Sequence, residues 1–436
     1  MPEDKQEQEL ELQDHRAIGE RLDLFSFDGV APGAVFWHGN GMVIFRELEK
    51  FIREELDAEG YQEISTPIMV KDKVFEKSGH AKYYRENMFY LDDDDPVRQV
   101  RQAHCRQDQG KGQPYVLKPM NCPESTYVFN SRTRSYRDLP LRLSEIGRLH
   151  RRELSGVVGG LFRLRQFTMD DAHIYLIPNQ IQGEVSSLLK LVTKVYGVFG
   201  FKPKFYLSTM PDKAMGDKKT WQKAEEALES ALKDSKMKYE LKEKDGAFYG
   251  PKIDIEIKDS LGRNWQLATI QLDLVMLPEQ FGLYYTDEKG EKQKPMVIHR
   301  AVYGSFERFI GILLEHFAGA LPLWLSPIQA MVVPVSEKLS KYGTRVFEEL
   351  KRAGIRVEIS DANETLGKRI REAEMQKIPY VIVVGEKEES VGTVNVRKRG
   401  SAAIAKATAS QGKENAEMKV AELILKMEGE IKEKVL

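Results

Sequence analysis

Three residues that can bind a metal ion stand far apart in the sequence. They are Cys122 in the segment MNCP, His173 in DDAH and His299 in VIHR. One thiolate and two imidazoles suit Zn²⁺, and three protein ligands leave a fourth position open for a substrate. The separations of 51 and 126 residues match no compact zinc-finger spacing, so ordinary packed or surface side chains remain the competing interpretation.

Arginines interrupt otherwise apolar segments at three places, residues 150–153, 162–167 and 304–309. A buried guanidinium is costly unless an anion or a carboxylate meets it, and arginine suits bidentate phosphate binding. The pattern therefore favours a polyphosphate site on a sheet. Internal pairing of Arg151 with Glu153, or of Glu307 with Arg308, is the alternative. The sequence contains no GxxxxGK[ST] or GxGxxG motif, which disfavours P-loop and Rossmann enzymes.

Composition describes an ordered protein with more than one domain. The 436 residues are 41% hydrophobic, and 66 basic residues against 67 acidic ones give a net charge of −1. This net charge is too small to attract nucleic acid or a membrane surface over a distance, so any polyanion must be bound by local patches of basic residues. Only two cysteines, Cys105 and Cys122, occur, no signal peptide is visible and no apolar run reaches about 20 residues. We predict a cytoplasmic protein.

Periodicity predicts an α+β first part, with a mostly antiparallel sheet flanked by helices. Helical spacing covers residues 43–58, 179–196, 218–234 and 302–317; extended segments cover residues 61–69 (broken by Pro67), 114–120, 141–146, 162–168, 173–176, 253–257 and 264–274. The acidic run at 92–95 is interpreted as a solvated loop.

Beyond a proline-punctuated linker at 321–327, strands and helices alternate, which indicates a smaller α/β domain. Strands are predicted at 330–333, 356–359, 380–384 and 394–397, helices at 339–353, 366–376 and 414–434, and an exposed loop at 401–412. The expected organisation is an extension at 1–29, a first domain at 30–322 and a second domain at 323–436.

Six segments, read in order, carry a resemblance to a known family. They are PGAVFWH at 32–38, MNCP at 120–123, YRDLP at 136–140, DDAH at 170–173, FYGPKI at 248–253 and IHRA at 298–301. Together they resemble threonyl-tRNA synthetases, which are class II aminoacyl-tRNA synthetases with a C-terminal anticodon-binding domain. The resemblance runs from about residue 14 to the end of the chain.

The resemblance implies roles for particular residues. Arg151 would hold the α-phosphate of ATP, and Arg163 and Arg308 the outer phosphates; Arg151 and Arg308 are the catalytic candidates. Glu153 would place the adenine, Phe167 would stack on it, and Gln266 and Thr269 would line the site, with Mg²⁺ accompanying ATP. Cys122, His173 and His299 would hold one zinc ion per subunit. Met120, Asp171, Tyr249 and Gln271 would seat threonine, and Asn363, Arg397 and Arg399 are candidates for anticodon contact.

The activity implied is ligation of L-threonine to tRNA(Thr) through threonyl-adenylate, with release of pyrophosphate and AMP, by a homodimer joined around Pro67. Residues 151–153 and 304–308 would belong to the second and third class-defining motifs. The sequence departs from the family pattern at Glu124-Ser125, Met169 and Leu267.

Many members carry N-terminal editing domains, and this sequence begins almost at the catalytic core. We therefore expect some charging with serine, corrected by a separate protein acting in trans. Met1 favours a natural short form, and a trimmed piece of a longer protein is the alternative. A non-catalytic tRNA-sensing paralogue is the competing function, and a prolyl or seryl synthetase is a third, disfavoured by the Cys, His, His set.

Overall fold

The computed structural model of the protein describes residues 13–91, 114–400 and 416–436. These residues form two compact units. The larger unit contains residues 27–35 and 52–309, and the smaller unit contains the described residues up to Ser26, residues 36–51 and the described residues from Ile310 onward. The predicted loops at 92–95 and 401–412, and Cys105, lie outside the described residues.

The described strands and helices are numbered here along the chain. The strands are β1 (Phe25–Ser26), β2 (Phe36–Trp37), β3 (Gln62–Glu63), β4 (Met69–Lys71), β5 (Phe89–Leu91), β6 (Tyr115–Leu117), β7 (Leu141–His150), β8 (Gln166–Leu176), β9 (Lys204–Ser208), β10 (Tyr239–Lys242), β11 (Lys252–Lys258), β12 (Asn264–Asp273), β13 (Tyr285–Thr286), β14 (Lys292–Gln293), β15 (Met296–Ser305), β16 (Ala330–Pro334), β17 (Val357–Ile359), β18 (Tyr380–Val384), β19 (Thr393–Lys398) and β20 (Ala416–Lys419). The helices are α1 (His15–Arg21), α2 (Gly39–Ala58), α3 (Lys73–Lys77), α4 (His80–Tyr83), α5 (Cys122–Phe129), α6 (Ile181–Val198), α7 (Lys218–Asp234), α8 (Met276–Gln280), α9 (Phe306–His316), α10 (Ser340–Arg352), α11 (Leu366–Met375), α12 (Glu386–Val391) and α13 (Val420–Lys432).

An eight-stranded sheet in the order β10-β9-β11-β12-β15-β8-β7-β3 forms the centre of the larger unit. The six strands from β9 to β7 pair antiparallel, and only the two edge pairs, β10 with β9 and β3 with β7, are parallel. Smaller antiparallel sheets join β4, β6 and β5 and pair β13 with β14. The prediction of an α+β first part with a mostly antiparallel sheet is confirmed.

Two amphipathic helices lie against this sheet because each has one apolar face. In α6, Val185, Leu188, Val192 and Val195 recur at helical spacing and are buried. The helix α6 contacts α7 and β12, and α7 contacts β9 and β11. The apolar faces of α6 and α7 therefore account for much of the burial on one side of the sheet.

The smaller unit contains a five-stranded sheet in the order β17-β16-β18-β19-β20, with β17, β16 and β18 parallel and β19 and β20 antiparallel. The helices α10 and α13 contribute Val346, Leu350, Leu423 and Met427 to the core that this sheet buries. The predicted smaller α/β domain is confirmed. No helix in the described ranges has both the length and the hydropathy needed to cross a bilayer.

Several predicted elements differ from the structure. Residues 302–305 belong to β15, and the helix predicted from 302 starts at Phe306. Gly304 at φ +72° marks this junction, where an added Cβ would lie 2.9 Å from the carbonyl oxygen of Leu267. The break predicted at Pro67 is observed, between β3 and β4. The strands predicted at 162–168 and 173–176 form one strand, β8, and β20 precedes the shortened closing helix α13.

Candidate active site

Strand register brings the two candidate histidine ligands together. His173 on β8 lies directly opposite His299 on β15, and His299 lies opposite Gln271 on β12. Side chains at alternate positions of a strand face the same side of the sheet. The next row on that side therefore contains Asp171, Ala301 and Thr269, which are paired in the same order.

Cys122 completes a cluster of three potential metal ligands. Its thiol and the imidazoles of His173 and His299 offer ligand atoms that all lie within 4.8 Å of one another, and all three residues are buried. The two imidazole rings are 4.9 Å apart and nearly perpendicular. His173 Nε2 and His299 Nδ1 are buried without a hydrogen-bond partner among the described residues. Such orphaned ring nitrogen atoms beside a thiol fit a zinc ion that is held by three protein ligands and stays open to a substrate.

Asp273 fixes the orientation of His299. Its Oδ2 lies 3.2 Å from His299 Nε2, while its carboxylate accepts hydrogen bonds from the backbone N–H groups of Val275, Met276 and Leu277. With Nε2 donating to this carboxylate, the lone pair of Nδ1 is left for a metal ion, as is usual for ligand histidines. Asp273 was missed in the sequence, although an aspartate just before a short helix is a recognisable signal.

Burial dominates the protonation of the cluster when no cation is present. It raises the pKa of the Cys122 thiol well above its usual value, and Asp171, Glu124 and Asp273 act in the same direction. Burial also lowers the pKa of His173 well below its usual value, with a smaller effect from His299. A neutral imidazole is the form that binds a metal ion, and a divalent cation would offset the cost of a buried thiolate.

The candidate threonine-binding residues surround this cluster. Asp171 accepts a hydrogen bond from Asn121, and burial raises the pKa of Asp171 to about 6. The hydroxyl of Tyr249 donates to Gln271, and the Tyr249 ring lies 5.1 Å from that of His299. Met120 packs against the apolar cluster that contains Cys122. The structure thus brings all four residues to the side of the sheet that holds the potential ligands.

A cavity of about 400 Å³ opens next to the cluster. Ala301 and Thr269, which belong to the same row as Asp171, form part of its wall. All seven residues proposed for nucleotide binding line it, namely Arg151, Glu153, Arg163, Phe167, Gln266, Thr269 and Arg308. Phe162 and Trp265, which the sequence did not single out, also line it, with ring centroids 4.6 Å apart.

Three guanidinium groups converge on this cavity. Arg308 donates to the carbonyl oxygen of Phe162 at 2.9 Å, and burial lowers its pKa, with further lowering by Arg151 and Arg163. Arg151 lies over the Phe167 ring at 5.0 Å. Neither Arg151 nor Arg308 has an ion-pair partner in the described ranges. The arrangement therefore leaves uncompensated positive charge where a polyphosphate can bind.

Of the two glutamates in the alternative of internal arginine–glutamate pairing, only Glu153 pairs with an arginine in the described ranges, and that arginine is Arg163. Glu153 pairs with Arg163 at 2.9 Å, and Glu307 accepts hydrogen bonds from the backbone N–H of Thr168. Neither Arg151 nor Arg308 takes the partner that adjacency in the sequence indicates. Gln266 donates to the buried carboxylate of Asp254, which was also missed in the sequence.

The three candidates for anticodon contact occupy different environments in the smaller unit. Asn363 is exposed in a turn before α11. Arg397 lies on β19, and its Nε is buried without a hydrogen-bond partner among the described residues. Arg399 donates to the carbonyl oxygens of Ala320, Leu321 and Lys377, a geometry that favours a structural role.

Family models match both parts of the chain. Residues 104–317 match the class II tRNA synthetase core domain of the G, H, P, S and T enzymes, and residues 329–429 match the anticodon-binding domain. A prolyl-tRNA synthetase from Cryptosporidium parvum, solved with L-proline and AMP, has a TM-score of 0.69 over 96% of this chain and 75% of that one. At 18% identity this likeness shows the fold alone.

The relatives with higher sequence identity are threonine–tRNA ligases. A threonine–tRNA ligase of Carboxydothermus hydrogenoformans is 49% identical over 90% of the chain, and that of Caldanaerobacter subterraneus is 48% identical over 90%. The chain spans 59% and 58% of the lengths of these relatives. The RNA-binding domain of threonyl-tRNA synthetase from Cryptosporidium parvum is 40% identical in sequence to this chain. Its crystal structure has a TM-score of 0.85 over 95% of this chain and 98% of that one. The chain therefore belongs to the threonyl-tRNA synthetase family of class II aminoacyl-tRNA synthetases.

Proposed function

We propose that this chain ligates L-threonine to tRNA(Thr) in two steps. The threonine carboxylate attacks the α-phosphorus of ATP, giving threonyl-adenylate and pyrophosphate; the 3′ hydroxyl of the terminal adenosine then takes the acyl group and AMP leaves. The observation that carries the proposal is the adjacency of two features: the buried Cys122, His173 and His299 cluster, and the cavity lined by the three arginines.

In the first step the chain supplies positioning and fixed positive charge. Attack on the α-phosphorus spreads negative charge over phosphoryl oxygens, and prepositioned cations lower such a barrier without a protein nucleophile. Arg151 would contact the α-phosphate, and Arg163 and Arg308 the outer phosphates. Phe167 would stack on the adenine and Glu153 would place it, while Mg²⁺ would enter with the ATP phosphates.

Discrimination against valine would come from the other end of the site. Cys122, His173 and His299 would hold one zinc ion per subunit, and the bound ion supplies coordination positions for the amino group and hydroxyl of threonine. Asp171 would accept a hydrogen bond from that hydroxyl, while Tyr249 and Gln271 would help seat the amino acid. Valine has the same shape without the hydroxyl, so it would leave these polar groups without a partner.

Exposed apolar side chains support a homodimer. Ile68 is 42% exposed and Met69 is 51% exposed, directly after Pro67 in the segment proposed as the first class-defining motif. Exposed apolar residues next to one another are typical of an interface.

Functionally we divide the chain into an extension at 1–29, the catalytic domain at 30–322 and the anticodon-binding domain at 323–436. Asn363 and Arg397 remain the residues proposed for tRNA contact in that last domain.

Amino-acid-dependent exchange of pyrophosphate into ATP tests this function directly. We expect exchange with threonine, weaker exchange with serine, and very little with valine or proline. A tRNA-sensing paralogue that has lost turnover would show no exchange with any amino acid, and a prolyl or seryl enzyme would respond best to its own substrate. Each competing function therefore gives a different pattern in the same panel.

A further inference from the structure

A buried amide group touches the proposed threonine site, and neither the metal cluster nor the cavity accounts for it. Asn121 is 0% exposed, and its Nδ2 donates to Asp171 Oδ2 at 3.3 Å. Its Oδ1 is buried and has no hydrogen-bond partner among the described residues. In the described part of the chain, Asn121 is the only residue whose side chain donates a hydrogen bond to the Asp171 carboxylate.

Helix capping does not explain an asparagine at this position. Asn121 occupies the N-cap of α5, where asparagine side chains commonly accept a hydrogen bond from the first turn. Here the backbone angles are helical, φ −90° and ψ −16°, and the side chain makes no capping hydrogen bond. The amide is directed across to β8 instead, where it contacts Asp171.

Gly147 on β7 makes room for this amide. A Cβ at position 147 would lie 2.3 Å from Asn121 Oδ1 and 2.7 Å from Nδ2, distances that real Cβ atoms do not reach. The backbone of Gly147 is not among the glycines at positive φ, so the conformation itself does not require glycine. Gly147 pairs with Met169, one row from the pair of Glu145 and Asp171. Space for Asn121 is therefore the physical reason for a glycine in the middle of this strand.

We propose that Asn121, held in place against Gly147, is a positioning residue that fixes the carboxylate of Asp171 for the substrate hydroxyl. The proposal rests on the function proposed above. A carboxylate only accepts hydrogen bonds, so the NH₂ group of Asn121 must face it. With Oδ2 engaged by Asn121, Oδ1 is left to accept from a hydroxyl. Asn121 thus contributes to the preference for hydroxyl-bearing amino acids without touching them.

The test compares Asn121→Ala with wild type in pyrophosphate exchange using threonine, serine and valine. Loss of an outer hydrogen-bonding partner typically costs 10- to 100-fold in activity. We expect kcat/KM for threonine and serine to fall together by about 10- to 100-fold. Valine, which has no hydroxyl, should change by less than about threefold, and zinc should stay near one ion per chain.

A second pair of variants separates positioning from packing. Gly147→Ala should lower the Tm and the threonine-to-valine ratio, because the new methyl group displaces Asn121. In the double variant Asn121→Ala/Gly147→Ala the clash is gone, so the Tm should recover while the ratio stays low. A purely structural role predicts that both recover.

Two results would overturn the inference: an unchanged threonine-to-valine ratio in Asn121→Ala, which includes an equal loss for valine, or loss of zinc from that variant. Wild-type protein without threonine-dependent exchange would instead refute the proposed function, so the two failures are distinguishable.

Discussion

At the residue scale, the thiol of Cys122 is the group whose chemistry is most specific to the proposed site. It is buried beside the imidazoles of His173 and His299, and each ring has a buried nitrogen atom without a hydrogen-bond partner among the described residues. Removing one of three ligands leaves too few to hold zinc tightly. We expect Cys122→Ala to fold, to contain far less than one zinc ion per chain, and to lose threonine-dependent exchange by more than about 100-fold.

Elemental analysis, circular dichroism and the exchange assay on one preparation measure all three outcomes. The matched control is Cys105→Ala, which removes the other thiol of the sequence and should keep both zinc and activity. A fully active Cys122→Ala protein would refute the ligand assignment.

At the element scale, a buried carboxyl group joins the first turn of α9 to the strand β8. Glu307 is 4% exposed and accepts from the backbone N–H of Thr168 at 2.9 Å. Burial raises the pKa of Glu307 from 4.5 to about 7, and the hydrogen bonds from Thr168 only partly oppose this. The folded protein therefore keeps a proton on this group at pH values where the unfolded chain has lost it.

The sign of the resulting pH dependence follows from proton linkage. The stabilisation is fully present below about pH 4.5 and is lost as the pH rises through about 7. Glu307→Gln cannot titrate, so its free energy of unfolding should lack this component. Relative to the variant, wild type should lose up to about 1.4 kcal/mol per pH unit within this window.

Urea unfolding at several pH values between 4.5 and 8 measures this difference. Glu243→Gln, at an exposed position in the same unit, controls for the general effect of removing one negative charge. Parallel stability curves for wild type and Glu307→Gln would contradict the prediction.

At the scale of the whole molecule, the selectivity of the 436-residue polypeptide should be limited by what the proposed threonine site can distinguish. Serine has the hydroxyl that the site is proposed to bind and lacks only a methyl group, which is worth roughly 1–3 kcal/mol. We expect this polypeptide to prefer threonine over serine by about 10- to 200-fold in charging tRNA(Thr). Valine should be rejected more strongly than serine because it has no hydroxyl for the site to bind.

Aminoacylation of tRNA(Thr) with labelled serine, threonine and valine, with no other protein present, measures these ratios. Valine serves as the internal control, since it tests the hydroxyl-binding groups without involving the methyl group. A preference for threonine over serine above about ten-thousandfold would contradict the prediction.

The sequence by itself determined the local structure and the family pattern. The helix at 218–234 and the strand at 380–384 were predicted with the observed ends, because their periodicity depends on residues close in the chain. The six motifs carried the resemblance, and with it every candidate residue of the nucleotide cavity. Residues 302–305 were misassigned to a helix, because a short apolar run fits either element and the pairing of Ser305 with Met169 on β8 is long-range.

Only the tertiary structure decided which atoms meet. Strand register sets His173 opposite His299, and no local signal encodes that pairing. The same applies to Asp273 behind His299, and to Gly147 behind Asn121. Arg399 looked like part of a basic surface, yet its guanidinium binds backbone carbonyl groups from distant segments. Residue types specify what chemistry is available, whereas pairing between distant strands determines which groups are close enough to perform it.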